Sequence, residues 1–114
     1  MNVECTRFKV KKGKSDLVDE WMNFLNANID ELEETLEDEK MFVETIFRET
    51  VEGEEYLYWY SVQGHGGLEI TENEHWIAKK HLDYWQECID VTYQFVDLKT
   101  EVVMIQNRVK KSMQ

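Results

Sequence analysis

The sequence predicts an α+β domain with the chain order strand, helix, strand, strand, helix, strand. Three observations carry this. Helical periodicity occurs twice, over Leu17–Leu36 and over Ile77–Ile89. Between them, Met41–Gln63 reads as two strand-like runs folded about one turn. Further strand-like runs open and close the chain, at Asn2–Val10 and Glu101–Gln106. This is the ferredoxin-like βαββαβ arrangement, a four-stranded antiparallel sheet with two helices on one face. At 114 residues the whole chain, 1–114, is one domain with enough length to bury a core.

Taken in order, NVECTRFKV alternates loosely, with Val3, Cys5, Arg7 and Lys9 on one side and Thr6, Phe8 and Val10 on the other. Gly13 marks a turn, and Ser15 precedes acids that suit a helix N-terminus. Leu17, Val18, Trp21, Met22, Leu25, Ile29, Leu32 and Leu36 then recur at spacings of three and four, which predicts one helix. Its acidic end, from Asp30 to Glu39, opposes the helix dipole, so fraying after Leu36 is expected. Lacking glycine-broken oxygen ligands, that run reads as a solvated face and not as a metal loop.

The central unit turns at Glu52-Gly53, which places Ile46 opposite Trp59, Phe47 opposite Tyr58 and Thr45 opposite Tyr60. One face then holds Glu44, Ile46, Arg48, Leu57, Trp59 and Ser61; the other holds Val43, Thr45, Phe47, Tyr56, Tyr58, Tyr60 and Val62. Both are costly to leave in water. After the glycine-rich QGHGG, Thr71 and Glu74 have the spacing of a capping box. Ile77, Ala78, Leu82, Trp85, Cys88 and Ile89 define the second helix, Val91–Leu98 is only partly strand-like, and Glu101–Gln106 reads as the last strand. Helices on one face leave the second apolar face needing a partner, and a second copy is the simplest one, which predicts a homodimer closed as a dimeric α/β barrel.

Composition narrows the function classes. Thirteen basic and 24 acidic residues give a formal charge of -11, which repels nucleic acid and anionic lipid. No apolar run reaches the roughly 20 residues of a membrane span, and no charged-then-apolar leader opens the chain. Cys5 and Cys88 lie far apart without metal-ligand spacing, so reduced thiols, a cytoplasmic location and no bound metal are expected.

The stretches VECTRFKVKKGK, LVDEWMNFLN, MFVETIFRE, EYLYWY and HLDYWQECI resemble a group of short uncharacterised bacterial proteins. That group is a domain of unknown function within the dimeric α/β-barrel superfamily. The resemblance spans nearly the whole chain and rests on patterns of fold, so it implies architecture. Wider relatives include haem-degrading and quinol-forming monooxygenases and lactone isomerases, and fold alone does not select among them. In the haem-degrading relatives a third-strand tryptophan ruffles the haem and a histidine of the second helix ligates iron. Trp59 with His75 or His81 matches those roles, while Arg7 stands where an amide is expected and a long glycine loop intervenes. No cofactor is therefore predicted, with haem as the one specific alternative.

The candidate pocket residues are Arg7, Glu44, Arg48, Trp59, His65 and His81. Glu44 and Arg48 on the Trp59 face suit a polar small molecule or a proton acceptor; a structural ion pair or solvent exposure is the competing reading. Arg7, in mid-strand, wants an acceptor such as Glu44. His65 in QGHGG is placed to swing over a pocket mouth, or is simply an exposed loop residue. His75 and His81 lie about 120° apart on a helix, too far for a tight metal pair. His81 suits a pocket wall or a satisfied core position. No Ser or Cys stands in a nucleophile motif, and QGHGG lacks the frame of a phosphate loop. A domain that binds a small molecule in a sheet-side pocket, or serves as an accessory domain, is the expected function; a monooxygenase or isomerase using the same pocket is the alternative, and no catalytic residue is assigned.

Overall fold

The central hairpin sets the frame. In the computed structural model, which describes residues 1–113, Glu52 and Gly53 take left-handed backbone with φ of 51° and 80°. That is the conformation of a two-residue hairpin turn whose twist matches its strands. It joins β2 (Met41–Val51) to β3 (Glu54–Gln63), and Ile46 pairs with Trp59, Phe47 with Tyr58 and Thr45 with Tyr60, as expected. A bulge between Met41 and Val43 interrupts the register near the start of β2. β1 (Asn2–Lys9) pairs antiparallel with β3 along its length and with the short β4 (Val96–Asp97) on its other side. The sheet order is β2-β3-β1-β4, the ferredoxin-like order, and β2 is an edge strand.

Both long helical segments cover one face. α1 (Ser15–Ala27) packs beside α3 (Trp76–Cys88), and α2 (Ile29–Glu39) lies against β2. Val18, Trp21 and Leu25 of α1 meet Leu57 of β3, Val10, Cys88 and Ile89 in the buried core, with Phe8, Ile46 and Trp59 packed against it. The face bearing Glu44, Leu57 and Trp59 is therefore the helix-covered one. The Tyr56, Tyr58, Tyr60 face carries no helix, and Phe47 there is 55% exposed.

Four expectations need correction. The stripe from Leu17 to Leu36 is two helices and not one, because Asn28 leaves helical geometry at φ -126°. Its amide bonds back to Phe24 while its carbonyl accepts from Leu32 N, so one side chain ends α1 and one carbonyl starts α2. The stripe continues across the break, which is why periodicity misses it.

The acidic end of α2 does not fray after Leu36. Lys40 caps it in left-handed backbone, its N–H reaching Leu36 and Glu37 carbonyls. Leu68 N donates to the Asp38 carbonyl and Gln63 Nε2 to that of Glu39, so orphan carbonyls that would promote fraying are bonded.

Thr71 and Glu74 do not form the cap of α3. Thr71 lies in a single 3₁₀ turn (Ile70–Glu72), and His75 caps the helix by accepting from Ile77 N through Nδ1. Nor is the last strand at Glu101–Gln106. The chain reaches the edge of β1 earlier, at Val96–Asp97, stays on it through Leu98 N to Cys5 O and Thr100 Oγ1 to Val3 O, and then leaves. Residues 101–106 form no strand and are unpaired among the described residues, with Met104 87% exposed, and α4 (Asn107–Ser112) follows.

Candidate functional site

Between the sheet and the helices lie two neighbouring lobes of open space, of about 350 and 480 Å³. Glu39, Glu44, Ile70 and His81 border both lobes. Trp59, Trp85 and Phe8 form an aromatic wall of the larger one, and Leu25, Ile46 and Leu32 an apolar wall of the other. Among the described residues no Lys or Arg side chain borders either lobe.

Alternation along β2 and β3 aims Glu44 and Trp59 into this space, and Trp59 Nε1 donates to Glu44 Oε1 over 2.9 Å. Burial pushes the Glu44 carboxyl above its ordinary range, and the Trp59 bond only partly opposes this. Glu39, 4% exposed at the end of α2, is also pushed up by burial, with the neighbouring Glu44 charge adding to the effect. Its Oε2 accepts from Asn73 Nδ2 at 3.0 Å, which favours the ionised form. Asn73, itself buried, accepts from His75 N through Oδ1, so one amide ties the carboxyl to the start of α3.

His81 enters from α3 and is 6% exposed. Its Nδ1 accepts from Trp21 Nε1 at 2.9 Å, and its ring lies 5.6 Å from that of Trp21 and 5.5 Å from that of Trp59. Burial lowers its pKa to about 4, so the imidazole is neutral at neutral pH. Among the described residues every fully enclosed side-chain nitrogen or oxygen has a hydrogen-bond partner, whereas His81 Nε2 has no protein partner and so is not fully enclosed. That nitrogen therefore opens on the cavity.

Of the six residues singled out from sequence, the fold thus gathers Glu44, Trp59 and His81. Arg7 lies on the opposite face of the sheet from Glu44, where its guanidinium donates to the Tyr93 hydroxyl and sits 5.3 Å over the Tyr56 ring. Arg48 is on the Glu44 face but nearer the hairpin turn, bound to Glu55, Asp19 and Ser15. His65 is exposed, its Nε2 2.9 Å from the chain's amino terminus. The QGHGG loop is anchored at both ends, where Gly64 N donates to Lys40 O and Leu68 N to Asp38 O.

Sequence reasoning missed Glu39, Asn73 and the bond made by Trp21. Glu39 closes a seven-acid run that is otherwise solvated, and no local signal separates it from its neighbours. Trp21 stands on the apolar stripe, where its indole N–H needs a buried acceptor; that need was a usable signal.

A family model described as a family of unknown function, DUF6176, matches residues 1–111. The chain belongs to that family. No match was found among curated proteins. Among solved structures it is similar to the L-rhamnose mutarotase FA22100 from Formosa agariphila, with a TM-score of 0.55 and 20% identity, over 94% of this chain and 100% of that one. At that identity the likeness bears on the fold, which this DUF6176 member shares.

Proposed function

We propose that the cavity binds an uncharged, hydroxyl-rich ring and moves protons on it, as an isomerase does when it opens and recloses a cyclic hemiacetal. The observation that carries this reading is the pair of carboxyls, Glu39 and Glu44, beside a neutral histidine in one aromatic-walled cavity. Two acids in different surroundings divide into acid and base. Glu44, buried with one hydrogen bond, is the proton donor; Glu39, held by Asn73, is the acceptor. Glu39 takes the proton of the anomeric hydroxyl, whose O–H electron pair becomes the new C=O bond. The ring C–O bond breaks, and its pair takes the proton of Glu44. Rotation and reclosure return both protons and give the other anomer, so the step consumes nothing. The mutarotase named among the structural neighbours supports a site of this chemistry on this architecture.

The test is exchange of magnetisation between anomers by NMR, with L-rhamnose first and a panel of free aldoses after it. Accelerated exchange by the native chain, falling about a hundredfold or more in Glu44→Gln, is the expected result. No acceleration for any free aldose, together with no shift of the Trp59 indole signal, overturns the reading.

The same lining argues against haem: two propionates would enter a cavity bordered by carboxyls and, among the described residues, by no cation. We further propose that a second copy covers the tyrosine-bearing face, supported by exposed Phe47 and the unpaired segment 101–106. A monomeric mass in light scattering removes that proposal. Two free thiols, Cys5 and Cys88, suit a reducing compartment such as the cytoplasm.

A further inference from the structure

We infer that Trp21 is a positioning residue: its indole N–H fixes His81 as a neutral imidazole that presents Nε2–H to the cavity as a hydrogen-bond donor. The inference stands on geometry and deepens the proton-transfer reading by giving His81 a role distinct from those of the two carboxyls.

An indole nitrogen only donates, so the 2.9 Å contact requires a bare, accepting Nδ1 on His81. A neutral imidazole with a bare Nδ1 carries its proton on Nε2, and that atom faces the cavity. Trp21 is itself fixed, being fully buried and stacked on Tyr84 with ring planes 11° apart. Trp59, whose ring lies 5.5 Å from the imidazole and 5.6 Å from that of Trp21, closes a cluster of three rings that restricts its rotation. The ring therefore meets its neighbours in one tautomer and one orientation.

The chemical consequence is definite. A histidine held this way does not take a proton through Nε2, and it serves as a polarising donor to an oxygen of the ligand. For a ring-opening reaction that oxygen is the one becoming a carbonyl. His81 would thus touch the ligand, while Trp21 would act through His81 without touching it.

The test reads the tautomer first, independently of any substrate. Two-bond ¹H–¹⁵N correlation spectra of the native chain at neutral pH are expected to show His81 protonated on Nε2 only. Protonation on Nδ1, or a fast mixture of both forms, overturns the inference whatever the chain's activity. In Trp21→Phe the Nδ1–H form is expected to appear; an unchanged single tautomer there means that Trp21 does not set it. Should that variant fold poorly, His81→Gln and His81→Asn serve instead, since a glutamine amide reaches the Nε2 position and an asparagine amide only the Nδ1 position. With an aldose that exchanges, His81→Asn is expected to lose about a hundredfold in kcat with KM little changed, and His81→Gln to stay within about tenfold of native. Equal losses in both variants overturn the donor role. Absence of exchange with every aldose, with the Nε2–H tautomer present, rejects the isomerase reading and leaves the Trp21–His81 assignment standing.

Discussion

At the scale of single residues, His81 couples the site to stability. Its pKa falls from the ordinary 6.5 to about 4 in the folded chain, so the unfolded state binds the extra proton between those values. The sign follows: the contribution is fully present above about pH 6.5 and is lost as the pH falls toward 4, amounting to roughly 3 kcal/mol. Glu39 and Glu44 act in the opposite sense, because carboxyls raised by burial favour the folded state as acid is added. Urea midpoints measured across this range should therefore fall less steeply with acid in His81→Gln than in the native chain.

At the scale of elements, two joints govern how the site is held. A Cβ on Gly67 would stand 2.0 Å from the Glu39 carbonyl oxygen, a backbone atom at the end of α2. The loop after β3 is thus pressed onto the helix that carries Glu39, and Gly67→Ala should cost about 3 kcal/mol and move the carboxyl. Denaturant unfolding reads the first effect, and the NMR signal of Asn73 Nδ2 the second. The hairpin turn behaves differently. Glu52 is a non-glycine residue in left-handed backbone, and it is exposed. Glu52→Asn should stabilise by about 0.5–1 kcal/mol in thermal unfolding, without altering the cavity.

At the scale of the whole molecule, charge bears on which ligands the proposed site would accept. A chain of formal charge -11, with a cavity bordered by Glu39 and Glu44 and by no cation among the described residues, repels anions at both long and short range. If a free aldose binds, its phosphate ester should bind at least tenfold more weakly, as titration followed by tryptophan fluorescence would show. The hairpin and its faces were legible because alternation and a Glu-Gly turn are local signals. So were Glu44 and Trp59, which alternation places on one face. The Asn28 break was not, since the apolar stripe crosses it unbroken. β4 was not either, because two residues on a sheet edge leave no periodicity, whereas Glu101–Gln106 has strand character but no strand beside it. Glu39 depends on the tertiary seating of the glycine loop, and no residue near it in sequence announces that.

The position of β2 at the sheet edge bears on how the protein survives crowding. Eleven residues of strand with one unpaired side form a template that any extended chain can join, and that is how aggregates begin. Here the bulge near Phe42 and the charges of Arg48 and Glu49 interrupt it. Neutralising that strand would affect solubility before it affected the fold.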